Sequence, residues 1–456
     1  MRKTQKLISA ILAIAMVLCL VPTASLAQGI NGDAVNEITF ATFSDIHYYP
    51  QVLTIDKETG KQSDAWLEAA RLDAKEYNES EDILLTALET FKVRAKENNI
   101  NYLLVPGDIT KESEYVAHTE IAKIFEAFEE ETGIQVIVVN GNHDINSIKA
   151  SQFINNVKEP ARATTPEDFR EIYKNLGYDL ATDEYAVETS GDSFVVPQVA
   201  NALSYTVDLD EKTQLIVVDS CMYSFDGPVK VETGGEISKE CLEWIGKKAD
   251  EATAQGKANI LMTHHNVAPH MECEPSVTFA FCLYNYLECA EFFADHNIHY
   301  TFSGHLHQAD IAKVVSDDGN VVYDVETGAL TSFPNTYREQ TLTLYENGEC
   351  EMSFENVDFD SVAQYVHNGK AYAQGEFMKE SFGLCFGGGL VENGDGTASA
   401  VGFVRGLVEN YLAGILREIA EVGILDYIEL KLDFDLAQFL ADFLEPFFGE
   451  GIYVNG

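Results

Sequence analysis

The residues able to do chemistry in this 456-residue chain fall into five short segments. They are Asp45-Ile46-His47, Gly107-Asp108, Gly141-Asn142-His143-Asp144, His264-His265 and Gly304-His305-Leu306-His307. Their side chains are imidazoles, carboxylates and a carboxamide, and no cysteine stands among them. Such nitrogen and oxygen donors suit first-row metals such as Mn, Fe, Zn or Ni. Taken singly, Asp-x-His, Gly-Asp or His-His reads as a turn with a surface side chain. Gly141-Asn142-His143-Asp144 says more, because it breaks off the very apolar run QVIVV. Gly304-His305-Leu306-His307 says more again. Alternate residues of an extended segment share a side, so its two histidines face one way. Its glycine permits tight backbone geometry.

Five distant segments act together only if the fold brings them to one place. Apolar and β-branched runs predict strands over 37–44, 101–105, 135–139, 259–263 and 299–303, each running closely into one of the five. In α/β folds, sites assemble at the carboxyl ends of strands. Helical spacing predicts helices over 63–77, 82–98, 114–130, 166–175, 238–255 (with Ser238 as N-cap) and 287–294. Further strands are expected over 204–208, 213–219, 321–327, 340–345 and 350–355. The order is strand–helix early and strand–strand late, which suggests two packed sheets with helices outside. After about residue 359 the character changes. Glycines 387–389 and Asn393-Gly394-Asp395-Gly396 mark turns, and amphipathic helical patterns follow over 400–422 and 436–445, the second stopped by Pro446. The expected division is 1–27 leader, 28–358 catalytic domain and 359–456 mainly helical appendage.

The set D-x-H, G-D, G-N-H-D, H-H and G-H-x-H, in this order, resembles the signature of calcineurin-like metallophosphoesterases, over about residues 38–333. The resemblance implies a four-layer α/β/β/α sandwich with two metal ions at one edge. By motif, Asp45, His47 and His307 would hold the first ion, and Asn142, His264 and His305 the second. Asp108 would bridge them. His143 would be the catalytic histidine and not a ligand. Asp144 would orient its neighbours. Of the pair His264-His265, the first is the ligand by motif and His265 the supporting residue. Two ions about 3.5–4 Å apart make hydroxide available near neutral pH and offset the charge on phosphate oxygens. A histidine beside them can protonate the leaving alkoxide as general acid. Purple acid phosphatases, a related class, place a tyrosine ligand three residues after the bridging aspartate. Lys111 stands at that position here, so a tyrosinate-ligated ferric site is not expected.

Within the family, the stretches 43–48 and 329–334 and the helical tail resemble exported bacterial enzymes described as cyclic-nucleotide phosphodiesterase-like. That resemblance implies a dimetal-dependent phosphodiesterase, with a cyclic nucleotide as leading substrate. A phosphomonoester, a phospholipid headgroup or a wall polymer fits the same core, as does a short-nucleotide nuclease. A retired binding module is the reading from another class, and retention of every expected ligand type argues against it. Selectivity would come from loops 48–66, 146–166, 266–277 and 332–338. Asn146, His270 and Arg338 are candidate substrate contacts there, against structural or surface roles. Tyr48 and Tyr49 would stack on a base or pack as buried aromatics. The apolar stretch 439–448 would either dock on the catalytic domain or meet a lipid surface.

With 46% hydrophobic and 23% charged residues, the chain holds ample material for a core. Its 30 Lys+Arg against 74 Asp+Glu give a net charge of −44. Such a surface repels the phosphate backbone of long nucleic acid. An anionic substrate must then be captured by a local positive centre, such as bound metal. Arg2, Lys3 and Lys6, an apolar run over 7–20 and Ser25-Leu26-Ala27 form the pattern of a cleaved secretory leader. No later stretch is long and apolar enough to span a bilayer. A secreted or cell-surface product is expected. Eight cysteines occur, seven of them beyond a leader that holds Cys19, with no C-x-x-C pair. Cys273, Cys282 and Cys289 are near in sequence, but spacing does not give connectivity.

Overall fold

A computed structural model describes residues 32–71, 75–186, 197–225, 227–271, 274, 280–333 and 335–358, with the backbone of four short strands beyond them. Twelve strands among the described residues build two sheets. They are β1 (Ala34–Thr42), β2 (Tyr102–Pro106), β3 (Gln135–Val139), β4 (Ala181–Glu184), β5 (Tyr205–Asp208) and β6 (Thr213–Val218). β7 (Ala258–Thr263), β8 (Ile298–Ser303), β9 (Asp310–Val315), β10 (Val321–Glu326), β11 (Thr336–Tyr345) and β12 (Cys350–Asp358) follow. The four longer helices are α1 (Ser80–Asn98), α2 (Tyr115–Thr132), α3 (Lys239–Thr253) and α4 (Tyr286–Asp295). Each strand that leads into a chemical segment is where the apolar runs place it, within a few residues at its ends.

The first sheet has the order β12-β11-β1-β2-β3, with β1, β2 and β3 mutually parallel. The second has the order β9-β10-β8-β7-β6-β5-β4, with β6, β7, β8 and β10 parallel. β2, β3, β6 and β7 are predominantly apolar because both their faces are covered. Every residue of β6 and β7 is buried. Their side chains divide by alternation. Leu215, Val217, Ile260 and Met262 join the core shared with the first sheet, while Ile216, Val218 and Leu261 pack with α3 and α4. β1 divides likewise. Phe40 meets Phe302 of the second sheet edge-on at 5.1 Å, and Phe43, just beyond β1, meets Phe91 of α1 at 5.7 Å. The fold is thus mixed α/β, with helices packed on each of the two sheets.

The helix ends follow their sequences. Ser238 caps α3 by accepting a bond from the Cys241 amide. Gly133 ends α2 in the left-handed region, at φ 77°. Thr165 and Asp168 form a capping box at the start of the short helix Pro166–Ile172.

Several expectations change. β4 and β9 are edge strands that pattern alone does not reveal. β9 has no fully buried residue, so no alternation marks it. β11 begins at Thr336, ahead of the expected 340, because its polar start TYREQ is buried and paired with β12 throughout, and with β1 from Arg338 on. The helix expected over 63–77 is Asp64–Arg71, and Tyr77 lies in a turn. Cys221, Cys241, Cys282, Cys289 and Cys350 are free thiols, so Cys282 and Cys289 do not pair. The leader, Cys273, the stretch 439–448 and the two helical patterns over 400–445 lie outside the described residues. Within 359–456 the described pieces are strands: Gln364–His367 pairs with Lys370–Ala373, and Val391–Glu392 with Ala398–Ser399. No helix of the described residues is long and apolar enough to cross a membrane.

Candidate metal centre

β1, β2, β3, β7 and β8 all end at one edge of the two sheets, and the five segments begin there. Backbone bonds lock the loops together. The His47 amide donates to the Asp108 carbonyl at 2.9 Å, and the Gly304 amide to the His264 carbonyl at 3.1 Å. Across the sheets, His264 Nδ1 donates to the Pro106 carbonyl at 2.8 Å. The turns are sharp. Asp45, His47, Asp108, His305 and His307 all have positive φ, between 45° and 76°. Non-glycine residues adopt this region rarely, and such strain gathers at functional sites. Two glycines make room. A Cβ on Gly304 would collide with Ser44 Oγ and the Asp45 carboxylate, and one on Gly141 with the Asp108 amide and carboxylate.

The donor atoms form two groups that share Asp108. Asp45, His47, Asp108 and His307 place one donor atom each within 4.8 Å of the others, and so do Asp108, His264 and His305. In the first group, His307 Nε2 lies 3.3 Å from both Asp45 Oδ1 and His47 Nε2. Asp45 Oδ1 is buried without a hydrogen-bond donor. Its other oxygen accepts from Ser44 Oγ at 2.6 Å and the His305 amide at 3.0 Å. Burial pushes the Asp45 carboxyl up, but His307 above all outweighs it and holds the group below the usual carboxylate range.

In the second group, His264 Nε2 lies 3.0 Å from Asn142 Oδ1, 3.1 Å from His305 Nδ1 and 3.4 Å from Asp108 Oδ1. The far nitrogens of both rings are occupied, at the Pro106 carbonyl and, 3.2 Å from His305 Nε2, at the Ala280 carbonyl. Their N–H groups therefore point outward and their lone pairs inward. Burial, with His265 and His264, holds His305 well below the ordinary histidine range, so its ring is neutral. Four acceptors thus converge with no hydrogen between them. That arrangement is repulsive unless a cation occupies it, and two imidazoles, an amide oxygen and a carboxylate fit a first-row divalent ion. The residues present fit the two-ion set the resemblance implies. Asp108 has the placement of a bridge: Oδ1 lies 3.4 Å from His264 Nε2 and Oδ2 3.6 Å from His47 Nε2.

His143 stands beside the groups. Its Nε2 is 4.0 Å from Asp108 Oδ2, and Nδ1 is 2.9 Å from the Lys111 carbonyl and 3.5 Å from Glu112 Oε2. Burial lowers its pKa, but Asp108, helped by Glu112 and opposed by Lys75, leaves it raised. Asp144 accepts from the amides of Gly141, Thr110 and Ile109 at 2.8, 2.9 and 3.1 Å, tying the His143 loop to the Asp108 loop. Burial pushes its pKa up to about 7, with Asp108 adding to the effect.

His265 is turned away, with Nδ1 2.8 Å from Ser220 Oγ and Nε2 3.0 Å from the Thr233 carbonyl. The other candidate contacts are structural. Asn146 is buried and donates to the Ser224 carbonyl at 2.7 Å. His270 is enclosed by acids, with Nδ1 3.0 Å from Asp310 and Nε2 3.5 Å from Asp324. Arg338 is buried on β11 beside the Asp310 carbonyl. Tyr48 and Tyr49 are buried too, and Tyr49 stacks on Trp66 at 4.4 Å. Lys111 offers its carbonyl to His143, while its ammonium lies over the Tyr77 ring.

A cavity of about 320 Å³ opens over the donor groups, lined by Asp108, Asn142, His143, His305 and His307 together with Lys75, Lys149 and Phe281 among others. Among the described residues of the four loops expected to carry selectivity, Lys149 of 146–166 lines it. Lys75, Phe281 and Glu112 were not legible in the pattern.

A calcineurin-like phosphoesterase family model matches residues 38–309. No curated protein matches. Among solved structures, a dimetal phosphatase from Danio rerio is 14% identical, with TM-score 0.43, over 71% of this chain and 98% of its own. A purple acid phosphatase from yellow lupin seeds is 10% identical, with TM-score 0.36, over 71% and 54%. A phosphopantetheinyl hydrolase from Mycobacterium tuberculosis is 12% identical, with TM-score 0.28, over 64% and 90%. These likenesses are too distant to carry an argument. The sequence match, by contrast, takes in more than half of the chain and every one of the five segments, and on that ground the chain belongs to the calcineurin-like phosphoesterase family.

Proposed function

We propose that this protein is an exported, dimetal-dependent phosphodiesterase, with a cyclic nucleotide as leading substrate. The observation that carries the hydrolytic reading is the convergence of acceptors on two sides of one carboxylate, Asp108, with His143 alongside. Asp45, His47 and His307 would hold one ion, Asn142, His264 and His305 the other, and Asp108 would serve both. When bound, the ions make hydroxide available near neutral pH and offset charge on the phosphoryl oxygens. The chain's own residues do the rest. Asp45, fixed by Ser44 and the His305 amide, keeps its ligand oxygen aimed inward. His143, anchored through Nδ1 at the Lys111 carbonyl, holds a proton on Nε2 and passes it to the leaving oxygen. An alkoxide is a poor leaving group, so this proton matters most for unactivated alkyl esters.

The diester reading is supported by the groups that line the cavity beyond the donor atoms: Phe281, whose ring lies 5.0 Å from His305, and Lys149, which stands by Glu112 and His143. They offer contacts to substituents on the phosphate as well as to the phosphate itself. Export is supported by the leader pattern over 1–27.

The test is hydrolysis by the purified chain loaded with Mn, Zn, Fe or Ni in turn. Bis(p-nitrophenyl) phosphate, p-nitrophenyl phosphate, 3′,5′-cAMP and 2′,3′-cAMP form the panel, and Asp108→Ala is the control. Metal-dependent turnover of diesters above the monoester, lost in the control, is expected. Faster turnover of the monoester would replace the diester reading. No turnover and no bound metal would favour a retired fold.

A further inference from the structure

We infer that Lys75 and Lys149 form a second anion subsite on the leaving-group side of the cavity, selecting phosphodiesters whose departing alcohol carries a further anionic group. The inference rests on the phosphodiesterase reading and names the substrate class within it.

Charge makes the two lysines conspicuous. Acids outnumber bases 74 to 30 in this chain. Yet Asp108 is the only carboxylate among the described residues that line the cavity, and the two other full charges there are both ammonium groups. A substrate entering this cavity therefore meets positive charge there beside the metal site.

Position then assigns them to one side. Lys149 Nζ lies 3.4 Å from Glu112 Oε1, and Glu112 Oε2 lies 3.5 Å from His143 Nδ1. Glu112 is nearly buried and also accepts from Ser147 Oγ at 2.7 Å, so its place is fixed. Lys149 is half exposed, and an ammonium has three N–H donors, so it can bind a ligand while keeping this contact. Lys75 lines the same cavity as His143 and Lys149. Both lysines thus share the cavity with the proton donor. The proton of His143 goes to the leaving oxygen, so the leaving group lies over His143, on the side where Lys149 stands. The retained substituent lies toward Phe281, whose ring packs on His305.

Three esters test this on the metal-loaded chain: methyl 4-nitrophenyl phosphate, methyl 3-carboxy-4-nitrophenyl phosphate, and 2-carboxyethyl 4-nitrophenyl phosphate. The second carries its carboxylate on the leaving phenol and the third on the retained alcohol. The expected result is a kcat/KM roughly five- to tenfold higher for the second ester than for the first, with no such gain for the third. The gain should shrink at high ionic strength. It should fall toward unity in a Lys75→Gln/Lys149→Gln double variant and return in the Lys→Arg counterpart. Calorimetric binding of the same esters is measured in parallel. Turnover of all three without preference, or equal losses on all three in the double variant, overturns the subsite and leaves the phosphodiesterase reading standing. Tighter binding of the second ester without turnover of any sustains the subsite and removes the phosphodiesterase reading.

Discussion

His143 and Asp108 divide the work of the site between proton and metal. Asp108 lies between the two donor groups, so it belongs to both. His143 keeps Nδ1 on a backbone carbonyl and leaves Nε2 4.0 Å from Asp108, outside the converging acceptors. His143→Ala should therefore lower kcat by roughly 10²–10⁴-fold while metal content stays near that of the parent. Metal analysis and steady-state kinetics on the same preparation decide it, and parallel loss of metal would make His143 a ligand. His264 and His265 show how little residue type says alone. Two adjacent histidines on an extended segment point to opposite sides. One meets Asn142, His305 and Asp108. The other meets Ser220 and Thr233, and supports the strand end from behind.

At the scale of elements, parallel strands bring the loops to one edge and tight loops aim the side chains. The segment after β8 carries two donor histidines, both at positive φ. It is held by Gly304 against Ser44 and Asp45, and by the Gln308 amide donating to Glu326 of β10 at 3.0 Å. Asp324, two residues earlier, accepts from Thr301 and Ser303 of β8 and from the amides of Val267 and Ala268. β10 is thus the brace behind the histidine loop. Gly304→Ala should displace Asp45 and His305 together, because the added methyl collides with the group that joins them. A shift of this kind costs roughly a hundredfold in turnover, and bound metal per chain should drop as well. Full metal content with unchanged kinetics in Gly304→Ala would mean that the loop relaxes freely, against the packing described.

For the whole molecule, the acidic surface and the buried polar centre set the response to pH. His118 is fully buried on α2, with Nδ1 2.7 Å from Tyr173 Oη and Nε2 3.0 Å from both Thr110 Oγ1 and the Asp144 carbonyl. Burial, above all, pulls its pKa from 6.5 down to about 3. The unfolded chain binds a proton at this ring below 6.5 and the folded chain does not, down to about 3. Its contribution to stability is present above pH 6.5 and is lost as pH falls through that window, by about 1.4 kcal/mol per pH unit. Urea unfolding across the window, compared between the parent and His118→Gln, isolates the slope. Equal slopes would show that His118 titrates normally in the folded state. His118 also ties α2 to the loop carrying Asp144, so acid loosens the site and the fold at one point.

What the amino-acid sequence determined by itself is the chemistry and its scaffold. Donor types, their order and the apolar runs before them are local features. A buried parallel strand must be apolar, and a donor loop must interrupt it, so QVIVV followed by Gly141-Asn142-His143-Asp144 is readable from composition alone. The sharing of Asp108 and the choice of His264 over His265 came from the family motif and not from local features, and the outward N–H groups of His264 and His305 depend on partners far along the chain. The same holds for residues whose role was open between substrate contact and structure. Asn146, His270 and Arg338 have the side chains of substrate contacts, and only packing shows that Ser224, Asp310 and their neighbours already engage them. Edge strand β9 lacked a pattern because nothing covers it fully. Lys75 and Lys149 were unreadable for the opposite reason. A lysine's meaning is the sign of the charge around it, and the cavity that gives these two their setting exists only once five strand ends have met.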